Sequence, residues 1–120
     1  MPFTVDAEML AQTRTHIRAA ECLYLNAASV ASACGEADPR EVVFAVVDRF
    51  GTFLGCWTVP LEQAQDVDRS MPEGDWRVLF TAGSSRADIE ERAITLGRLA
   101  LQRWETMLRW TSRHGGAAAS

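Results

Sequence analysis

The sequence predicts a single α+β domain in which a long helix, a three-stranded antiparallel sheet and a second long helix follow one another. Two observations support this fold prediction. Apolar residues recur at helical spacing near both ends of the chain, and three short apolar runs lie between these two segments. The 120 residues suffice for one hydrophobic core. The domain is expected to cover residues 1–114, and the Gly, Ala and Ser residues at 115–120 are expected to form a disordered tail.

The first helix is predicted over residues 6–34. Thr4 or Asp6 can cap its start, and Gly35 stands where a helix commonly ends. Apolar and small residues share one face at steps of three and four: Leu10, Thr13, Ile17, Ala20, Tyr24, Ala27, Ala31 and Cys34. This regular face predicts one helix that runs without interruption.

Three strands are predicted to follow the first helix. Residues 42–47 are apolar on both alternations, which is typical of a central strand covered on two faces. Asp48 to Gly51 is predicted to form a hairpin turn into a second strand over residues 52–59. In that strand, simple alternation places Phe53, Trp57 and Val59 on one face. A third strand is predicted over residues 76–82.

The last helix is predicted to begin at a capping box of Ser85 and Asp88 and to reach about His114. Its apolar residues sweep more than half of its circumference, so it is expected to be covered from two directions. About 28 helical residues span roughly 42 Å, whereas strands of seven or eight residues span about 25 Å. We therefore expect the other long helix, or a second copy of the chain, to cover the overhang.

Composition limits the function classes. The formal net charge is -4 and the pI is about 5.1, which argues against a dedicated nucleic-acid-binding protein. No run approaches the ~18 apolar residues of a membrane span, and the first residues do not resemble a secretory signal. Three cysteines without a CxxC pair suit a reducing compartment. A cytoplasmic location is therefore expected.

The sequence gives no positive support for catalysis or for a cofactor. The segment from Asp66 begins like a calcium loop, but Met71 and Arg77 occupy the positions that require Gly and Glu. We interpret this acidic connection as a solvated loop or a contact patch, and no metal site is expected. An enzyme would need a cleft that gathers Asp48, Cys56 or His16, and no nucleophile motif or phosphate-binding loop is present.

The last helix carries the strongest candidate for a binding surface. The selected residues are Arg92, Leu99, Arg103, Trp104, Met107 and Trp110. Arg and Trp are enriched at interface hot spots, although an ordinary solvated helix face explains the pattern equally well. Residues 85–114 hold six arginines and four acids, a charge of +2, which leaves -6 for the rest. The sequence thus predicts a non-catalytic interaction or regulatory protein that binds a second copy or another protein through this helix.

A second function stays open because of a family resemblance. The order helix, hairpin, strand, helix resembles profilin-like domains, and residues 43–54 resemble the hairpin of the GlcG-like haem-binding group. The chain lacks that group's Lys- and Ala-bearing central helix and its glycine-rich final strand, so no ligand residue transfers. The resemblance implies a haem or other small-molecule site, in a pocket between sheet and helices lined by Phe53, Trp57, Trp76 and Phe80.

Overall fold

The computed structural model describes residues 7–113 and confirms the α+β fold with a long helix at each end. The four helices are α1 (Ala7–Leu25), α2 (Ala27–Glu36), α3 (Ala64–Ser70) and α4 (Arg86–Arg113); the strands are β1 (Glu41–Val47), β2 (Phe53–Pro60) and β3 (Trp76–Thr81). The expected tail at 115–120 and the expected capping residues Thr4 and Asp6 lie outside the described residues.

Asn26 divides the predicted first helix into α1 and α2. Its side-chain amide donates to the Cys22 carbonyl oxygen at 2.8 Å, and its backbone N–H donates to the same oxygen at 3.0 Å. An asparagine amide that bonds to the backbone in this way competes with regular helix geometry. The prediction of one uninterrupted helix was therefore wrong at this residue, while α2 ends at Glu36, next to the predicted stop at Gly35.

The sheet has the order β2-β1-β3, and both pairs are antiparallel. β1 is central, and its residues 42–47 are all buried, which confirms the predicted coverage on two faces. The predicted hairpin turn is also confirmed. The Asp48 carboxylate accepts the N–H groups of Phe50 and Thr52, each at 2.9 Å, and Gly51 takes the positive φ of 85° that this turn requires.

A β-bulge in β2 changes the predicted alternation. Val46 pairs with Gly55 and Val47 pairs with Phe53, so Leu54 is an extra residue in the strand. Gly55 has a φ of 120°, a conformation that glycine tolerates. Phe53 consequently lies on the face opposite Trp57, and the prediction that the two share a face was wrong.

The two faces of the sheet pack differently. The inner face packs against α1, α2 and α4 in the main core: Leu23, Ala27, Val30, Cys34, Val43, Ala45, Val78, Phe80, Ile89 and Ala93. The outer face carries a smaller cluster under α3: Val42, Phe44, Val46, Val59 and Ala64. Because Trp57 pairs with Phe44, it lies on the outer face, while Phe80 lies on the inner one. The four residues of the expected haem or ligand pocket therefore do not line one space.

The predicted β3 and the start of α4 are confirmed. Trp76, Val78 and Phe80 all lie on the inner side of the sheet. The Ser85 hydroxyl accepts the Asp88 N–H at 3.1 Å, and the Asp88 carboxylate accepts the Ser85 N–H at 2.9 Å. These bonds hold the pKa of Asp88 below its usual range.

α1 and α4 form an antiparallel pair. The Thr13 hydroxyl lies 3.8 Å from the Met107 sulfur, whereas Ala20 lies against Gly97, so the start of α1 meets the end of α4. The molecule measures 54 Å along its longest axis, which exceeds the length of any of its strands. The helices thus overhang the sheet, and α1 covers part of the overhang of α4. Coverage by the other long helix was one of the two predicted alternatives.

Candidate protein-binding surface

The six residues of α4 that were predicted to bind a partner differ in their exposure and in their contacts within the chain. Met107 is only 4% exposed and belongs to the contact with α1, so it is not available as an anchor for a partner. Trp104 is half-buried, with the Arg14 guanidinium 6.0 Å from its ring centroid. Trp110 is half-buried as well, while Leu99 and Arg103 are exposed.

Arg92 has a local role at the edge of the sheet. Its Nη1 donates to the Leu79 carbonyl oxygen at 3.3 Å, and its guanidinium lies 5.5 Å from the centroid of the Phe80 ring. β3 is an edge strand, and a charged side chain that occupies such an edge hinders pairing with another strand. Arg92 therefore serves contacts within the chain.

A different stripe of α4 is apolar and open. Ile94, Leu101 and Leu108 are spaced by seven residues, or about two helical turns, and their exposed fractions are 42%, 46% and 45%. They belong to the broad apolar circumference predicted for this helix, but they are not among the six residues predicted to bind a partner. The signal that identifies them is the seven-residue repeat, which places all three on one face.

α1 continues this apolar surface. Leu10, Ile17 and Tyr24 are also spaced by seven residues; the first two are half-buried and Tyr24 is 43% exposed. A groove of about 380 Å³ lies between the helices, with Ile17, Tyr24 and Ile94 beside the small residues Ala20, Ala93 and Gly97. We call the six larger residues of the two repeats the helical face: Leu10, Ile17, Tyr24, Ile94, Leu101 and Leu108.

Opposite charges flank the helical face on α4. Arg98 follows Ile94 by one helical turn, and Glu105 follows Leu101 by one turn, so the two occupy equivalent positions beside the stripe. Both side chains are exposed. Neither makes an ion pair within residues 7–113. The α4 edge of this surface therefore carries a cation and an anion without ion-pair partners among residues 7–113, and the exposed Glu21 of α1 lines the groove beside it.

A polar cleft of about 450 Å³ lies between α1 and the loop before β3. His16, Gln12 and Glu8 of α1 line it together with Arg49 and Asp75. Burial, and then the positive charge of Arg103, lower the pKa of His16.

The cleft that His16 lines contains neither Asp48 nor Cys56. The Asp48 carboxylate accepts hydrogen bonds in the hairpin turn, and Cys56 packs against the main core. Burial raises the pKa of the Cys56 thiol, which opposes formation of the nucleophilic thiolate. This cleft therefore does not provide the constellation that the enzyme alternative requires.

The acidic connection is partly neutralised from within the chain. Arg77 forms an ion pair and a hydrogen bond with Asp68, which hold the pKa of this carboxyl below its ordinary value. Arg69 lies 3.8 Å from Asp66. In the described part of the chain, no three His, Cys, Asp or Glu side chains lie close enough together to hold a metal ion. No helix within it is both long and apolar enough to cross a membrane.

Comparison of the chain with models of protein families, with curated proteins and with solved structures finds no match. The resemblance to profilin-like domains thus gains no support from these comparisons.

Proposed function

We propose that the protein is a small, non-catalytic, cytoplasmic interaction protein that works as a homodimer, in which the helical faces of two copies pack together. The observation that carries the proposal is the open stripe of Ile94, Leu101 and Leu108, which continues onto α1. Contiguous exposed apolar surface on a small protein is typical of a protein–protein contact. The wide apolar circumference of α4 then serves two contacts, one with α1 and one with the partner.

The repeat on α4 is complementary to itself. Consider two copies of α4 that pack antiparallel about a two-fold axis at Leu101. Ile94 and Leu108 stand seven residues before and after Leu101, so each Ile94 faces the Leu108 of the other copy. All three apolar positions thus find an apolar partner, and one surface serves both copies.

The flanking charges select the antiparallel direction. In an antiparallel helix pair, equivalent flanks face each other, so Arg98 of one copy meets Glu105 of the other with an offset of about one residue, or 1.5 Å. In a parallel pair these equivalent flanks would lie apart. The two-fold arrangement forms the Arg98–Glu105 contact twice, and this charge complementarity supports a second copy as the partner.

The groove beside the stripe allows the second copy to contact α1 as well. Ala20, Ala93 and Gly97 have small side chains or none, so a side chain of the partner can enter between Ile17 and Ile94. Each leucine of the stripe still has about half of its surface to bury, which is worth about 1 kcal/mol per residue. The resulting interface is a layer of four helices, with both sheets on the outside.

The experiment is sedimentation velocity of the wild-type chain and two variants. We expect a dimer for the wild type, a folded monomer for Leu101→Glu, and a dimer for the control Leu61→Glu, since Leu61 is 60% exposed and lies outside the helices that form the helical face. Circular dichroism verifies the fold of each variant. A monomeric wild type, or a Leu101→Glu variant that remains dimeric, would contradict the homodimer.

A further inference from the structure

The outer face of the sheet contains an apolar cavity beside α3. This helix has only seven residues; it packs over Val59 of β2 but leaves Leu54 and Trp57 of that strand about half exposed. The cavity has a volume of about 480 Å³, within the range of small-molecule sites. Its lining combines Val46, Leu54, Trp57 and Val59 of the sheet with Val67, Ser70, Met71, Pro72 and Asp75 of the connection.

The β-bulge shapes this cavity. Because Leu54 is the extra residue of β2, it shares the outer face with Trp57. Each of the two side chains is 47% exposed although the cavity that they line is apolar. Bulges commonly redirect side chains beside functional sites. In this strand the bulge places a large aliphatic and a large aromatic side chain at one opening.

A carboxylate without a partner borders the cavity. Asp75 is partly buried, and within residues 7–113 its side chain accepts no hydrogen bond and makes no ion pair. The other polar side chain of the lining, Ser70, donates its hydroxyl to the Val67 carbonyl oxygen at 2.7 Å. No cationic side chain lines this cavity. The lining therefore offers apolar surface, one indole ring and one carboxylate that makes no ion pair within residues 7–113, while Arg49 lies with it in the polar cleft on its other side.

We propose that this cavity binds a small molecule with an apolar or aromatic body and a single positively charged amine. The amine would pair with the Asp75 carboxylate, a charge-assisted hydrogen bond that is stronger than a neutral one. The body would lie against Leu54 and the ring of Trp57, which attracts both cations and other aromatic rings. Charge complementarity thus favours a cationic ligand over a neutral or acidic one.

The depression on the opposite side of α3 differs in chemistry. It is lined by Arg69, Arg77 and Asp68 beside Phe44 and Leu79, and Asp68 is already paired with Arg77. It therefore has no unpaired carboxylate to hold an amine. The ligand site is also independent of the proposed dimer, because the helical face and the cavity lie on opposite sides of the inner core.

The test is isothermal titration calorimetry of the full chain with three amines: tryptamine, phenethylamine and hexylamine. The acids indole-3-propionate, 3-phenylpropionate and heptanoate, in the same order, have the same bodies and carry the opposite charge. We expect at least one amine to bind saturably with one site per chain and the corresponding acid to bind at least tenfold more weakly. Asp75→Asn is expected to weaken amine binding about tenfold, since it removes the negative charge and replaces a charge-assisted hydrogen bond with a weaker neutral one.

Substitutions test whether the amine binds in the cavity beside α3. Trp57→Ala is expected to weaken binding of the same amine at least tenfold, whereas Leu79→Ala beside the other depression, which does not include Asp75, should leave its affinity unchanged. Circular dichroism establishes that each variant is folded. Three outcomes each overturn the proposal: no saturable binding by any of the three amines, acids that bind as tightly as amines, or amine binding that Trp57→Ala leaves intact.

Discussion

Gly97 of α4 lies directly against Ala20 of α1, so closely that a Cβ built on Gly97 would stand 3.4 Å from the Ala20 Cβ. The two helices therefore approach each other here without a larger side chain between them. This close contact forms the bottom of the groove beside the helical face. It also makes position 97 a sensitive probe of the α1–α4 packing.

Gly97→Ala is expected to raise the free energy of unfolding by up to about 1 kcal/mol, because alanine favours the helix and its methyl group just fits. Gly97→Leu is expected to lower it by about 1–3 kcal/mol, because the larger side chain must push the helices apart. Urea unfolding at one fixed protein concentration measures both. A Gly97→Leu variant as stable as the wild type would disprove the close approach.

Met107 is predicted to stabilise the monomer itself. Its side chain is 4% exposed in contact with α1, so Met107→Ala should lower the free energy of unfolding by about 2–5 kcal/mol. The control is Leu99→Ala on the same helix, where the side chain is 55% exposed and we expect a change of at most about 0.5 kcal/mol. Similar losses in the two variants would contradict the assignment of Met107 to the core.

His16 gives a pH dependence with a defined sign. Burial and the charge of Arg103 lower its pKa in the folded chain, so the unfolded chain binds a proton at a higher pH than the folded chain does. Above pH 6.5, the ordinary pKa, His16 is neutral in both the folded and the unfolded chain, and its full contribution to the free energy of unfolding is present. As the pH falls from 6.5 toward the lower pKa of the folded chain, the unfolded chain binds the proton first, so the free energy of unfolding decreases. Urea unfolding between pH 8 and pH 5 should show this decline, and His16→Gln should reduce it.

Arg103→Gln is expected to raise the pKa of His16 toward its ordinary value, because it removes one of the two causes of the shift. Arg109→Gln serves as the matched control on α4 and should leave the pKa of His16 unchanged. An NMR titration of the imidazole protons measures all three chains. A His16 pKa at or above 6.5 in the wild type would refute the proposed environment.

Charge exchange tests the register of the dimer. Arg98→Glu and Glu105→Arg each place like charges opposite one another across the antiparallel pair, so each alone should weaken dimerisation severalfold. The double variant restores opposite charges and should recover most of the affinity. Sedimentation equilibrium gives the dimer dissociation constants. Additive losses in the double variant would rule out this register, even if the chain still dimerised.

Local signals predicted much of the fold. The Ser85–Asp88 capping box and the Asp48–Gly51 turn depend on neighbouring residues alone, and both are confirmed. The break at Asn26 and the bulge at Leu54 were missed, because simple helical and two-residue periodicity assume an uninterrupted element. The bulge matters most, since it moves Phe53 to the inner face and leaves Leu54 beside Trp57.

The candidate binding surface was predicted only in part, because helical periodicity does not say which part of an apolar circumference the rest of the chain will cover. The sequence predicted that α4 is apolar over much of its circumference, and the structure shows that Met107 is buried against α1 while Leu101 stays exposed. The position of α1 along α4 is a tertiary property. The seven-residue spacing of Ile94, Leu101 and Leu108 was visible in the sequence, but it indicates a candidate surface only when α1 is known to lie beside it.

Pairing of two copies through their helical faces can be observed in a native mass spectrum of the untagged chain. We expect a species of twice the 13.2 kDa chain mass for the wild type and a monomer for Leu101→Glu. No bound ligand is needed for that dimer. A wild-type spectrum that contains only the monomer at every concentration tried would show that the helical faces do not pair.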